Sequence, residues 1–176
     1  MRRVTGAPPL ASGVRRAGRR LWLLFGGLAA AVFVTDQLVK AWIVAAFEVG
    51  VPVDVVGPYV RITISHNTGA LFGLFRDQAV LFALFSLAVI GFIVWYHGRG
   101  ALNIVQSVAL GLLLGGAIGN LVDRIRLGYV VDFVDMGIGT WRFYTYNVAD
   151  SAITTAILLL IVLALWSGRT VGSDGG

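Results

Sequence analysis

Residues 79–121 read AVLFALFSLAVIGFIVWYHGRGALNIVQSVALGLLLGGAIGNL, and Arg99 is their one formal charge. A short His97-Gly98-Arg99-Gly100 turn separates two uncharged stretches, 79–96 and 101–121. Each approaches or exceeds the roughly 20 helical residues that a hydrocarbon core about 30 Å thick requires. Two further stretches flank this pair. Residues 22–46 are apolar apart from Thr35-Asp36-Gln37 and Lys40, and 149–167 are apolar once Asp150 is passed. The pattern predicts an all-α polytopic membrane protein with four transmembrane helices.

Composition agrees. Of 176 residues, 57% are hydrophobic and 13% charged, and the mean hydropathy is +0.83. Soluble domains carry about a quarter charged residues, so composition argues against a water-soluble globule. The chain has no cysteine, which removes disulfides, thiol nucleophiles, iron–sulfur clusters and thiolate zinc sites. His66 and His97 stand far apart without partners at ligand spacing, so neither a metal nor a cofactor is expected. The net charge is +5, yet Arg2, Arg3, Arg15, Arg16, Arg19 and Arg20 supply six of the fourteen basic residues. A basic tail of this kind sets topology or meets lipid headgroups, and no nucleic-acid partner is implied. Followed by Leu21–Val34 it resembles a signal peptide, but further spans come later and it reads as a retained anchor.

Basic residues in short loops stay on the cytoplasmic side. Four spans place both termini there, with Arg99 and Arg169. Loops 47–78 and 122–148 then lie outside, where polar chemistry meets water. The expected organisation is a tail over 1–20, a membrane domain over 21–167 and a disordered tail over 168–176. Val51–Val56 and Tyr59–Ser65 are β-branched runs about Gly57-Pro58, and Trp141–Tyr146 alternates in the same way. A small extracytoplasmic β-sheet is predicted. In the third span Gly111, Gly115 and Gly119 make a smooth face that lets another helix approach closely.

Charges at membrane depth cost about 2.5–3.5 kcal/mol at a helix centre, so each needs a reason. Asp36 and Lys40 share a helix face. They either neutralise one another, with Lys40 snorkelling to the outer interface, or hold a substrate backbone or a neighbouring polar loop. Asn67-Thr68-Gly69-Ala70 makes a turn or aims an amide at a peptide bond. Asn120, Asp123 and Arg124 close the third helix, Asp123 and Arg124 as an interfacial pair. Asn147 and Asp150 have the spacing of a capping box. Asp132 sits between apolar neighbours, where its ionised form is disfavoured. If Asp132 and Asp150 meet, they share one proton and jointly activate water, the chemistry of an aspartic dyad.

Five blocks, taken together, are similar to the lipoprotein signal peptidase (signal peptidase II) family. They are Thr35–Lys40, Asn67–Phe72, Gly119–Arg124, Val131-Asp132-Phe133 and Asn147–Ile153. The resemblance implies a multi-pass aspartic endopeptidase of the bacterial inner membrane, with its site at the extracytoplasmic face. It would cut diacylglyceryl-modified prolipoproteins before the lipidated cysteine. By the family pattern Asp132 and Asp150 form the catalytic dyad, while Asp36, Lys40, Asn67, Gly69, Asn120, Asp123, Arg124 and Asn147 shape the site or hold substrate. Lipid-modified prolipoproteins, membrane lipids and a globomycin-type inhibitor are the implied partners, and a monomer is expected. Leu71 stands where the family often has alanine. The rival reading is a proton-coupled transporter with Asp36, Lys40, Asp132 and Asp150 as a relay.

Overall fold

The computed structural model describes residues 10–69, 79–99 and 102–171. Four helices, α1 (Leu10–Ala46), α2 (Ala79–Arg99), α3 (Ile104–Leu127) and α4 (Val148–Val171), and four strands, β1 (Val53–Val56), β2 (Val60–Asn67), β3 (Val130–Ile138) and β4 (Trp141–Arg142), follow in the order α1-β1-β2-α2-α3-β3-β4-α4. Segments Gly18–Ala46, Val80–Arg99, Ile104–Leu127 and Val148–Trp166 are long and apolar enough to span a bilayer. The first helix starts at Leu10, inside the stretch read as a tail, and the fourth continues past Trp166. Arg2, Arg3, Ala70–Phe72 and residues 172–176 lie outside the described residues.

Helix α3 is central and packs on α1, α2 and α4. Its glycines explain how. A Cβ on Gly111 would lie 2.9 Å from the Phe25 carbonyl oxygen, and one on Gly115 2.6 Å from that of Ala29. Gly116, on another face, stands equally close to Ala149 of α4. With no side chain in the way, backbones touch and dispersion replaces the hydrophobic drive that lipid cannot supply. On α1 the buried residues Phe25, Ala29, Asp36, Lys40 and Ile43 recur at helical spacing, forming the stripe that meets α3. Helix α3 opens on a capping box between Asn103 and Gln106, and ends at Gly128, whose left-handed backbone (φ 79°) lets its N–H reach the Arg124 carbonyl.

The strands form one antiparallel sheet in the order β1-β2-β3-β4. Two come from each loop, so the β2–β3 pairing, Asn67 opposite Val130 and Ser65 opposite Asp132, ties the loops together. Ile43, Ile64, Val131 and Phe133 form the core beneath it. Strands β1 and β2 appear at the two β-branched runs. Strand β3 has no counterpart in the sequence reading, because Val130–Phe133 carries no alternation of polar and apolar residues. Only Trp141–Arg142 of the expected third run is strand, and Tyr146 adds an isolated bridge to Val134.

Candidate active site

Asp132 lies on β3, two residues beyond its start, and Asp150 in the first turn of α4. One residue holds both. Asn147 Nδ2 donates to Asp132 Oδ1 at 2.7 Å, and the Asn147 backbone N–H donates to Asp150 Oδ2 at 3.2 Å. The Asp150 N–H returns a bond to Asn147 Oδ1 at 3.0 Å, completing the predicted capping box. Capping and site-building are therefore one arrangement. The remaining oxygens are also engaged. Asn67 Nδ2 donates to Asp132 Oδ2 at 2.9 Å, and Asn120 Nδ2 to Asp150 Oδ1 at 2.8 Å. Asp132 is fully buried, while Asp150 is partly open and lines two hollows.

Burial, then the neighbouring charge of Asp150, pushes the Asp132 carboxyl up to about 7, against the opposing pull of the Asn67 and Asn147 amides and of Lys40. Asp132 thus resists ionisation while lying beside a second carboxylate, the condition under which two acids divide acid and base roles. The Tyr144 phenol is raised as well, by burial and then by Asp150 and Asp132, so it keeps its proton.

Beneath the acids lies a buried ionic network. Lys40 Nζ is 2.8 Å from Asp36 Oδ2, 2.8 Å from Asp123 Oδ2 and 3.2 Å from Asn120 Oδ1. Each carboxylate also grips a backbone amide next to an acid of the site: Asp36 Oδ1 accepts from Ala149 N at 2.9 Å, and Asp123 Oδ2 from Val131 N at 3.2 Å. One ammonium therefore fixes the start of α4 and the start of β3 together. Gln37, which sequence reasoning did not select, donates to Asp36 and Asp123 across the same gap. Its signal was an amide beside Asp36 in an otherwise apolar span.

Two expectations are corrected here. Lys40 does not snorkel, because α3 seals it from the surface and supplies its partners. Asp123 pairs with Lys40 rather than Arg124, since consecutive helix residues point in different directions. Arg124 instead bonds the Asn120 carbonyl and lies over the Phe82 ring. Asn67 makes the expected turn, its Oδ1 accepting from Gly69 N at 3.1 Å, while its Nδ2 donates to Asp132.

The hollows flank Tyr144, which lines both. One, of about 680 Å³, runs between β3–β4 and α4 past Met136, Trp141, Phe143 and Ser151. The other, of about 340 Å³, lies between α2, α3 and α4 past Asn67, Phe85, Asn120, Arg124 and Asp150. Among the described residues no group of acidic or histidine side chains is arranged to hold a metal ion. Four membrane-spanning helices thus carry two carboxyl groups linked through Asn147, of which Asp150 opens onto apolar clefts, the layout that a membrane-embedded aspartic hydrolase requires.

Residues 28–166 match the family model described as signal peptidase (SPase) II. The lipoprotein signal peptidase of Coxiella burnetii (strain RSA 331 / Henzerling II) is 40% identical over 146 residues, covering 80% of this chain and 87% of that one. That of Caulobacter vibrioides is 39% identical over 154 residues, covering 82% and 87%. A bacterial membrane enzyme solved by the in meso method at 2.3 Å superposes with a TM-score of 0.75 at 30% identity, over 85% of this chain and 91% of that one. The chain belongs to the signal peptidase II family, and is an enzyme and a multi-pass membrane protein. This membership gives no support to the transporter relay.

Proposed function

We propose that the chain releases signal peptides from diacylglyceryl-modified prolipoproteins, cutting before the lipidated cysteine, with Asp132 and Asp150 as its catalytic dyad. The observation that carries the reading is the shared hold of Asn147 on both carboxyl groups. In the working form Asp132, whose proton burial retains, is the acid of the pair and Asp150 the base. Asp150 takes a proton from a bound water, whose oxygen attacks the scissile carbonyl carbon, while Asp132 gives its proton to the carbonyl oxygen. The tetrahedral diol collapses as the leaving nitrogen takes a proton from Asp150 and the diol returns one to Asp132. Asn67, Asn120 and Asn147 hold the carboxyl groups in place, Asp36, Lys40 and Asp123 hold the elements beneath them, and Gly69 closes the turn that presents Asn67. Arg124, on the wall of the smaller hollow, faces the substrate chain.

The family supports a bacterial inner-membrane enzyme, and the arginine distribution supports both termini cytoplasmic and the site at the extracytoplasmic face. There the lipid of the substrate stays in the bilayer, and anchoring of both partners raises their effective concentration. The enzyme works as a monomer, and a globomycin-type inhibitor occupies the cleft at the dyad. The test follows a prolipoprotein on a gel with Asp132→Asn and Asp150→Asn variants shown to be folded. Processing stops in both if the dyad is right, and survival of processing in either variant refutes it.

A further inference from the structure

The sheet has two unlike faces. Register sets Val53 beside Ile62 and Val134, Val56 beside Val60 and Met136, and Ile138 opposite Trp141. Cross-strand partners share a face and alternate residues return to it, so these apolar side chains form one surface. The other face carries Asp54 beside Arg61 and Asp135, with Arg142 opposite Gly137. On that face Arg61 and Arg142 both bond the Asp135 carboxylate, at 2.7 Å and 2.9 Å, and Arg142 Nη1 also bonds the Pro58 carbonyl.

The apolar surface is uncovered toward the hairpin tip, where Ile138 is 72% and Trp141 87% exposed, with Met136, Val53 and Val56 also open. Contiguous exposed apolar area of this kind marks a contact surface. What it meets is indicated by its surroundings. Met136 and Trp141, with Gly137 and Arg142 at the sheet end, line the larger hollow together with Asp150, Ser151 and Thr154 of α4. Further along that helix Ile157, Leu158, Ile161, Val162 and Leu165 are exposed, and they lie in the segment that crosses the bilayer. The apolar face of the sheet is thus continuous, across the hollow, with a surface already in lipid.

We propose that the β3–β4 hairpin is a second membrane anchor. Its tip, Ile138–Trp141, enters the phospholipid leaflet at the sheet end of the bundle, while the Asp54–Arg61–Asp135–Arg142 face remains in water. A tryptophan at this level suits the interface, where its ring is apolar and its N–H can reach a headgroup. The proposal does not depend on which residues are catalytic.

Because the chain has no cysteine, Thr140→Cys at the tip and Asp54→Cys on the charged face each supply a unique thiol for an environment-sensitive fluorophore. In phosphatidylcholine vesicles the tip label shifts to the blue, loses more than half its emission to lipid-borne nitroxide and is spared by aqueous iodide. The Asp54 label does the reverse. Trp141→Phe gives a second reading without a label: the part of the tryptophan emission quenched by brominated acyl chains falls relative to the parent protein. Iodide reaching the tip label as readily as the Asp54 label, or bromolipid quenching unchanged by Trp141→Phe, overturns the proposal.

Discussion

Replacing Lys40 by methionine keeps its length and removes its charge, and the outcome follows from three distances. Lys40 Nζ stands 2.8 Å from each of the Asp36 and Asp123 carboxylates and 3.2 Å from the Asn120 amide oxygen, all out of reach of solvent. Removing one member of a buried ion pair costs about 3–5 kcal/mol, because the partner charge stays behind in a medium that cannot solvate it. Here two carboxylates are left facing one another, which places Lys40→Met toward the upper end of that range. Repulsion between them also loosens the two amides they grip, Ala149 N and Val131 N, one residue from each acid of the site. Turnover should therefore fall more than substrate affinity, as the acids lose alignment while the hollows persist. Denaturation in mixed micelles gives the stability change, and processing of a prolipoprotein at varied concentration separates kcat from KM. Asp123→Asn added to Lys40→Met should recover part of the lost stability, since it removes one of the two orphaned charges. The reasoning is refuted if Lys40→Met unfolds within about 0.5 kcal/mol of the parent, the range of an inconsequential surface change, or if the second substitution only deepens the loss.

Further consequences follow for pH and packing. Burial favours the neutral form of Asp132 in the folded chain, from an ordinary value of 3.8 up to about 7. The folded state therefore binds the extra proton over that interval, and this group's contribution to stability falls as pH rises from about 4 to about 7; Asp132→Asn should flatten that slope in thermal melts across pH. Cleavage should decline as pH rises through about 7, when the proton donor is lost, and a profile level to pH 9 contradicts the assignment of the proton to Asp132. Asn67→Ala removes a bond that holds the Asp132 value down, so the alkaline decline should move to higher pH in the rate profile. Gly115→Ala puts a Cβ 2.6 Å from the Ala29 carbonyl and 2.7 Å from Val32 Cβ, which should cost about 1–3 kcal/mol in unfolding as α1 and α3 part. Gly91→Ala meets nothing within 4 Å and should be neutral or slightly stabilising in the same experiment.

The spans were legible because the bilayer dictates both length and composition: a helix such as Ala79–Tyr96 has no other solvent. Strands β1 and β2 were legible from their β-branched runs, and β2 also from alternation, with Ile64 set against Ile43 of α1. Strand β3 was not, since Val130, Val131, Asp132 and Phe133 are all buried and a strand covered on both sides loses the period of two. Its partner, β2, stands more than sixty residues earlier in the chain, beyond any local signal. The residues proposed for the site were named from a family pattern, which carries no information on their pairings. Asp123 beside Arg124 looks like an ion pair in one dimension, whereas on a helix adjacent residues diverge and the true partner of Asp123 lies on α1.

One signal for that partner was present in the glycine stripe. Gly111 and Gly115 admit the α1 backbone at Phe25 and Ala29, and Gly119, one turn further, stands where a Cβ would meet Asp36 Oδ2 at 2.7 Å. The stripe that brings α1 against α3 thus runs out at a carboxylate, which fixes the face of α1 that carries Asp36 and, one turn on, Lys40. Both must point into α3 and not into lipid, and Asn120 and Asp123, in the turn that follows Gly119, are the polar side chains there to receive Lys40. Close packing and the ionic network are then one constraint. A side chain larger than hydrogen at 119 collides first with the Asp36 carboxylate, the group that holds Ala149 N beside Asp150, so Gly119→Ala should lower turnover more sharply than Gly111→Ala, whose contacts lie with Phe25 and Leu28 away from the site. Equal losses in the two variants, measured on folded protein, would mean that the stripe serves only to pack the helices.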